Sequence, residues 1–124
     1  MSSSDRRRRR SADPGQAMHF QLAACCEDGD VAAMAVADDD GVPIALAGRM
    51  DACREVAGKM AAVAPRIREL ECTVLGTGGR WDVSMRKVAT ATGEVVVCAV
   101  GGSAESRRRL ISRTSAGAQR IFAA

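Results

Sequence analysis

The chain has 124 residues, enough for one domain with a real core but not for two. Two Phe, one Trp and no Tyr leave few rings for stacking on bases, which argues against a single-stranded nucleic-acid binder. Its 18 basic and 15 acidic residues are unevenly spread: residues 1–15 hold the net +3 through Arg6, Arg7, Arg8, Arg9 and Arg10, while residues 16–124 carry 13 of each sign. The pI near 8.8 therefore belongs to the leading segment and demands no basic face on the body.

Residues 1–15 show no apolar periodicity and end in Asp13-Pro14-Gly15. They read as a disordered, Arg-rich tail, able at most to touch anionic lipid or nucleic acid in a salt-sensitive way. Leu22-Ala23-Ala24-Cys25 mimics the approach to a lipoprotein cysteine. The stretch before it holds Asp13, Pro14, Gln16, His19 and Gln21, so the apolar region of a secretory leader is missing. Position 2 is Ser, which removes N-myristoylation. With no run approaching a membrane span, a cytoplasmic protein is expected.

Gln16–Glu27 reads as a short amphipathic helix with Phe20, Ala23 and Ala24 on one side, stopped by Asp28-Gly29-Asp30. Val31–Ala37 and Val42–Ala47 flank Asp38-Asp39-Asp40-Gly41 and read as a β-hairpin. Pro43 cannot donate to a ladder and marks the second strand as a sheet edge. Asp51 should cap a helix to Val63, with Val56, Met60 and Val63 facing the sheet and Ala52, Glu55, Lys59 and Ala62 on the next face, beside Gly58. Leu70–Leu75, Trp81–Val88 and Glu94–Val100 read as three more strands, turned at Gly76–Gly79 and Ala91–Gly93. The VVVCAV run makes the fifth strand central. A last helix, capped by Ser103, carries an inner stripe of Leu110, Thr114, Ala118 and Ile121 with Ile111 and Phe122, leaving Arg107, Arg108, Arg109, Arg113 and Arg120 mostly outside. The fold expected is α+β: a five-stranded antiparallel sheet between the middle helix and the two terminal helices.

Motifs for chemistry are sparse. The five cysteines (Cys25, Cys26, Cys53, Cys72, Cys98) contain no Cys-x-x-Cys and, with one histidine, complete no zinc set. They read as small core residues, Cys26 being the one to watch for surface reactivity. No phosphate-loop signature occurs, and Gly76-x-Gly78-Gly79 leads into a strand, unlike a dinucleotide turn. His19 has no constrained catalytic partner. Three successive aspartates at 38–40 lack the alternation of a calcium loop and read as a solvated turn. No catalytic, cofactor or metal residue is assigned.

The segment Asp38-Asp39-Asp40-Gly41-Val42-Pro43-Ile44-Ala45 resembles the first hairpin of the Roadblock/light-chain-seven family. The Ala/Val-rich helix after it, the Gly78-Gly79 turn and the Gly93 turn before an apolar fifth strand are similar to the rest of that domain, over about residues 17–122. The Arg-rich tail lies outside the pattern. The resemblance implies a non-enzymatic dimer, with itself or a paralogous chain, that joins sheets edge to edge and lays its middle helices side by side. Such dimers bind small Ras-like GTPases or motor and signalling complexes; MglB-like bacterial members regulate a GTPase. On this chain Asp51–Val63 would be the paired helix and Leu70–Leu75 the paired edge. Helical geometry then nominates Arg54, Glu55, Gly58, Lys59, Ala62 and Arg66 as the partner surface. Two other readings stay open: a profilin-like small-ligand sensor of the PAS or GAF kind, which needs a pocket, and nucleic-acid or anionic-surface contact through Arg6–Arg10.

Overall fold

The computed structural model describes residues 13–63, 65–76 and 79–123. Arg6–Arg10 and the Gly78 turn position lie outside the described residues. The elements run α1 (Pro14–Asp28), β1 (Ala33–Asp38), β2 (Pro43–Gly48), α2 (Met50–Val63), β3 (Glu69–Gly76), β4 (Gly79–Thr90), β5 (Gly93–Val100) and α3 (Ala104–Ile121). The strands form one antiparallel sheet in the order β2-β1-β5-β4-β3. This is the expected α+β sandwich, with β5 in the middle and β2 and β3 at the edges.

Strand alternation splits the core in two. Met34, Val36, Val97 and Ala99 meet Met18 and Leu22 of α1 and Leu110 and Ile111 of α3. The intervening residues Ala33, Ala35, Val96 and Val100, with Val83 of β4, meet Ala52, Val56 and Met60 of α2. Alanine on both sides of the α2 contact lets helix and sheet approach closely.

Several boundaries and facings differ from the sequence reading. α1 starts two residues earlier: the Asp13 carboxylate accepts the Gln16 N–H at 3.0 Å and Pro14 occupies the first turn, where a missing N–H costs nothing. Its buried stripe is Met18, Leu22 and Cys25, spaced one and two turns apart, which turns Phe20 outward at 63% exposure. α2 begins at Met50, so Asp51 lies inside the first turn and pairs with Arg49 at 2.8 Å instead of capping. That hydrogen bond holds the Asp51 carboxyl below its ordinary pKa. Ala52 is fully buried against the sheet and does not share the outward face with Ala62.

The aspartate turn behaves as a turn. The Asp38 carboxylate accepts the N–H groups of Asp40 (3.0 Å) and Val42 (2.9 Å), and Gly41 takes the positive φ of 88° that closes the hairpin. The three carboxylates lie within 4.8 Å of one another, with Asp38 committed to the backbone.

Candidate interaction surface

The two sheet edges are built differently. β2 starts with Pro43, and its register with β1 shifts between Val36 and Ala37, so Ile44 is the extra residue of a bulge. Proline and a bulge both discourage another strand from adding. β3 has neither: Glu69 to Gly76 pair with Arg86 to Gly79 without a shift. Its two faces differ. Leu70, Cys72 and Val74 lie on the α2 side with Trp81, Val83 and Met85. Glu69, Glu71, Thr73 and Leu75 lie on the other, and Leu75 is 71% exposed.

On that other face the two glutamates are tied down from β4 and α3. Arg86 pairs with Glu69 at 2.9 Å, and Arg108 with Glu71 at 2.7 Å. Arg107, expected outside the helical stripe, is instead buried at 7% exposure. Its Nε donates to Ser84 Oγ (2.9 Å), and one terminal nitrogen donates to the carbonyls of Gly101 (3.1 Å) and Gly102 (2.8 Å). Ser84 Oγ in turn donates to Glu71 (3.3 Å), linking the buried guanidinium to a carboxylate through one hydroxyl. A groove of about 310 Å³ runs here between Glu69, Glu71, Arg86 and Arg108. A second, of about 300 Å³, borders β2 at His19, Ile44, Leu46 and Met50. Both are open surface grooves.

The six residues nominated on and after α2 divide into two groups. Arg54, Gly58 and Ala62, one turn apart, are exposed on the outer face, and a Cβ added at Gly58 would meet nothing within 4 Å. Arg66 is exposed in the turn that follows, where its N–H donates to Val63 C=O at 3.0 Å. Glu55 and Lys59 lean the other way, onto the end of β3. Lys59 Nζ donates to Leu75 C=O at 2.8 Å, and a Cβ added at Gly76 would collide with the Glu55 carboxylate. Periodicity could place these two on the flank of α2; it could not say that β3 ends beneath them.

The cysteines give no reactive centre of this surface. Burial pushes the Cys26 thiol up to about 11 and Cys98 to about 12, and burial also raises Cys53 and Cys72. All five are free thiols. The Trp81 indole N–H is buried with no acceptor, and Arg49 stacks over its ring at 4.7 Å; neither residue stood out in the sequence.

By sequence, no family model and no curated protein matches the chain. By structure it is similar to Myxococcus xanthus MglB, with 15% identity over 87% of this chain and 89% of that one and a TM-score of 0.64. An MglB in a tetrameric arrangement superposes with a TM-score of 0.68 at 13% identity, covering 88% and 90%. The gliding protein MglB of Thermus thermophilus gives 0.63 at 15%, again over 88% and 90%. The chain has the MglB-type Roadblock fold. In this fold the proline-free, bulge-free edge strand β3 ends beside the flank of α2 that carries Glu55 and Lys59. Among the described residues no helix is long and apolar enough to cross a membrane.

Proposed function

We propose that the chain is a cytoplasmic, dimeric Roadblock regulator or adaptor that binds a small Ras-like GTPase, and that it acts by shape and charge without bond-breaking chemistry of its own. The single observation that carries this reading is the fold: solved MglB structures match it over 87–88% of the chain. The unequal edges add support, since β3 is long, bulge-free and proline-free, as an edge meant for pairing should be. A second copy extends the sheet through β3. The two α2 helices then present Arg54, Gly58, Ala62 and Arg66 as one composite surface.

The test uses purified full-length chain and a purified Ras-like GTPase, loaded with GDP or with a GTP analogue. Binding that depends on the nucleotide, or a changed hydrolysis rate, supports the regulator. Arg54→Glu with Arg66→Glu should weaken that binding about tenfold or more while circular dichroism and melting stay unchanged. Equal binding by this double variant removes the outer face of α2 from the interface. No binding in either nucleotide state leaves an adaptor for other partners and refutes the GTPase regulator.

A further inference from the structure

The edge of β3 holds a register problem, and Lys59 sits on it. Lys87 N–H donates to Arg68 C=O at 2.8 Å, one step before the paired residues Glu69 and Arg86. In an antiparallel ladder main-chain groups alternate in direction. Even-numbered positions of β3 therefore turn theirs to β4, while Glu69, Glu71, Thr73 and Leu75 turn theirs to the open side. Lys59 is bound to one of these outward groups, the carbonyl of Leu75.

The apolar pattern alone does not choose how a second β3 would align. Leu70, Cys72 and Val74 repeat every two residues, and a two-residue slip keeps every side chain on its own face. Three symmetric alignments pair at least three of the four outward residues. Centring on Glu71 uses three outward residues and sets two Glu71 carboxylates opposite each other, which is unfavourable. Centring on Thr73 leaves Glu69 unpaired. Centring on Cys72 uses all four: Glu69 faces Leu75 of the second copy and Glu71 faces its Thr73. On the α2 side, Leu70 then meets Val74 of the second copy and Cys72 meets Cys72, so the apolar strip is complementary to itself.

We propose that β3 of a second copy adds to this edge in the register that sets Cys72 opposite itself, and that Lys59 is the latch this pairing displaces. In the single chain the Lys59 ammonium covers Leu75 C=O, as edge lysines do where stray strands must be kept off. In the Cys72-centred dimer, that carbonyl accepts from Glu69 of the second copy instead. The inference rests on the Roadblock-dimer reading above and adds to it an alignment and a control point.

The geometry gives a direct readout. Across the open edge Cys72 would form a non-hydrogen-bonded pair, with Cα atoms about 4.5 Å apart, within the range that a disulfide can bridge. Full-length wild type is treated with diamide and run without reductant, alongside Cys72→Ser, Glu71→Cys/Cys72→Ser and Thr73→Cys/Cys72→Ser. Dimer affinity is measured in reductant for wild type and Lys59→Met. The expected result is a covalent dimer for wild type, lost in Cys72→Ser, with Lys59→Met dimerising about two- to tenfold more tightly, the effect of one exposed, solvent-competed hydrogen bond in each copy no longer competing. Strong cross-linking through position 71 or 73 and not through Cys72 keeps the dimer and overturns the register. Cys72 cross-linking with equal or weaker Lys59→Met dimers overturns the latch. A chain that stays monomeric throughout overturns the dimer reading and this inference together.

Discussion

Replacing Arg107 by alanine tests whether the buried guanidinium holds α3 to the sheet. Three hydrogen bonds leave it, to Ser84 Oγ and to the Gly101 and Gly102 carbonyls. Bonds from a charged donor contribute about 1.5–3 kcal/mol each. Taking the guanidinium out of water costs several kcal/mol, with no carboxylate in direct contact to offset it. The balance is a net loss of about 2–4 kcal/mol for Arg107→Ala, which lowers the melting temperature by roughly 10–20 °C. Gly101 is half-buried and Gly102 exposed, so water can reach their carbonyls in the variant and keeps the loss from rising further. Ser84 keeps its bond to Glu71, so the coupling between Arg107 and Ser84 should be about 1 kcal/mol in a double-mutant cycle. Arg107→Met separates charge from packing, since it retains the aliphatic stem. Thermal and urea unfolding of Arg107→Ala, Arg107→Met, Ser84→Ala and the Arg107→Ala/Ser84→Ala double variant provide the numbers. If Arg107→Met is as stable as wild type, desolvation outweighs the bonds and the reasoning fails.

Cys26 should be a poor nucleophile despite its partial exposure. Its thiol is raised from 9.0 to about 11, so at neutral pH it holds about a hundredfold less thiolate than an ordinary cysteine, and iodoacetamide labelling followed by mass spectrometry should show it lagging the denatured chain by that factor. The sign for stability follows from the same shift: the unfolded thiol ionises first, so Cys26 favours the fold below about pH 9 and loses that contribution as pH rises towards 11. Asp38→Ala removes two backbone acceptor contacts from the hairpin turn and should cost about 1–2 kcal/mol in urea unfolding, whereas Asp39→Ala, exposed at the same turn, should fall within about 0.5 kcal/mol of wild type.

The element order was readable because its signals are local. Asp-Gly turns, Pro43 at an edge and the VVVCAV run each depend on neighbours within a few residues. Asp13-Pro14 is a local signal too, a helix start, yet it reads as the end of the Arg-rich tail when charge is considered first. What stayed hidden depends on residues far apart in sequence. Arg107 looks like one of three surface arginines until Ser84, 23 positions away, gives its Nε a buried acceptor. Phe20 looks like a core residue until the α1 stripe is set by Met18, Leu22 and Cys25 against α3 and the sheet. Glu55 and Lys59 look like free surface until β3 ends beside them. Periodicity finds which side of a helix faces the core; it does not say what lies along the flank.

The contrast between the two sheet edges can be made into a single substitution. Proline belongs at an edge only where its missing N–H would have pointed outward. On β3 that holds for Thr73 and not for Val74, which pairs with Trp81 at a position whose N–H serves the β4 ladder. Thr73→Pro should therefore fold, losing only the Thr73 Oγ1–Asp82 bond of 3.0 Å and some strand propensity. In a β3–β3 dimer it removes one donor from each copy, about 1–3 kcal/mol in all, and should weaken self-association by about 5- to 150-fold by analytical ultracentrifugation. Val74→Pro should instead lower the melting temperature sharply, because it breaks the ladder that holds β3 to the domain. The two adjacent prolines thus exchange effects, one acting on assembly and the other on folding. Should Thr73→Pro dimerise as wild type does, β3 is not the pairing edge, and the proline and bulge on β2 protect against something other than strand addition.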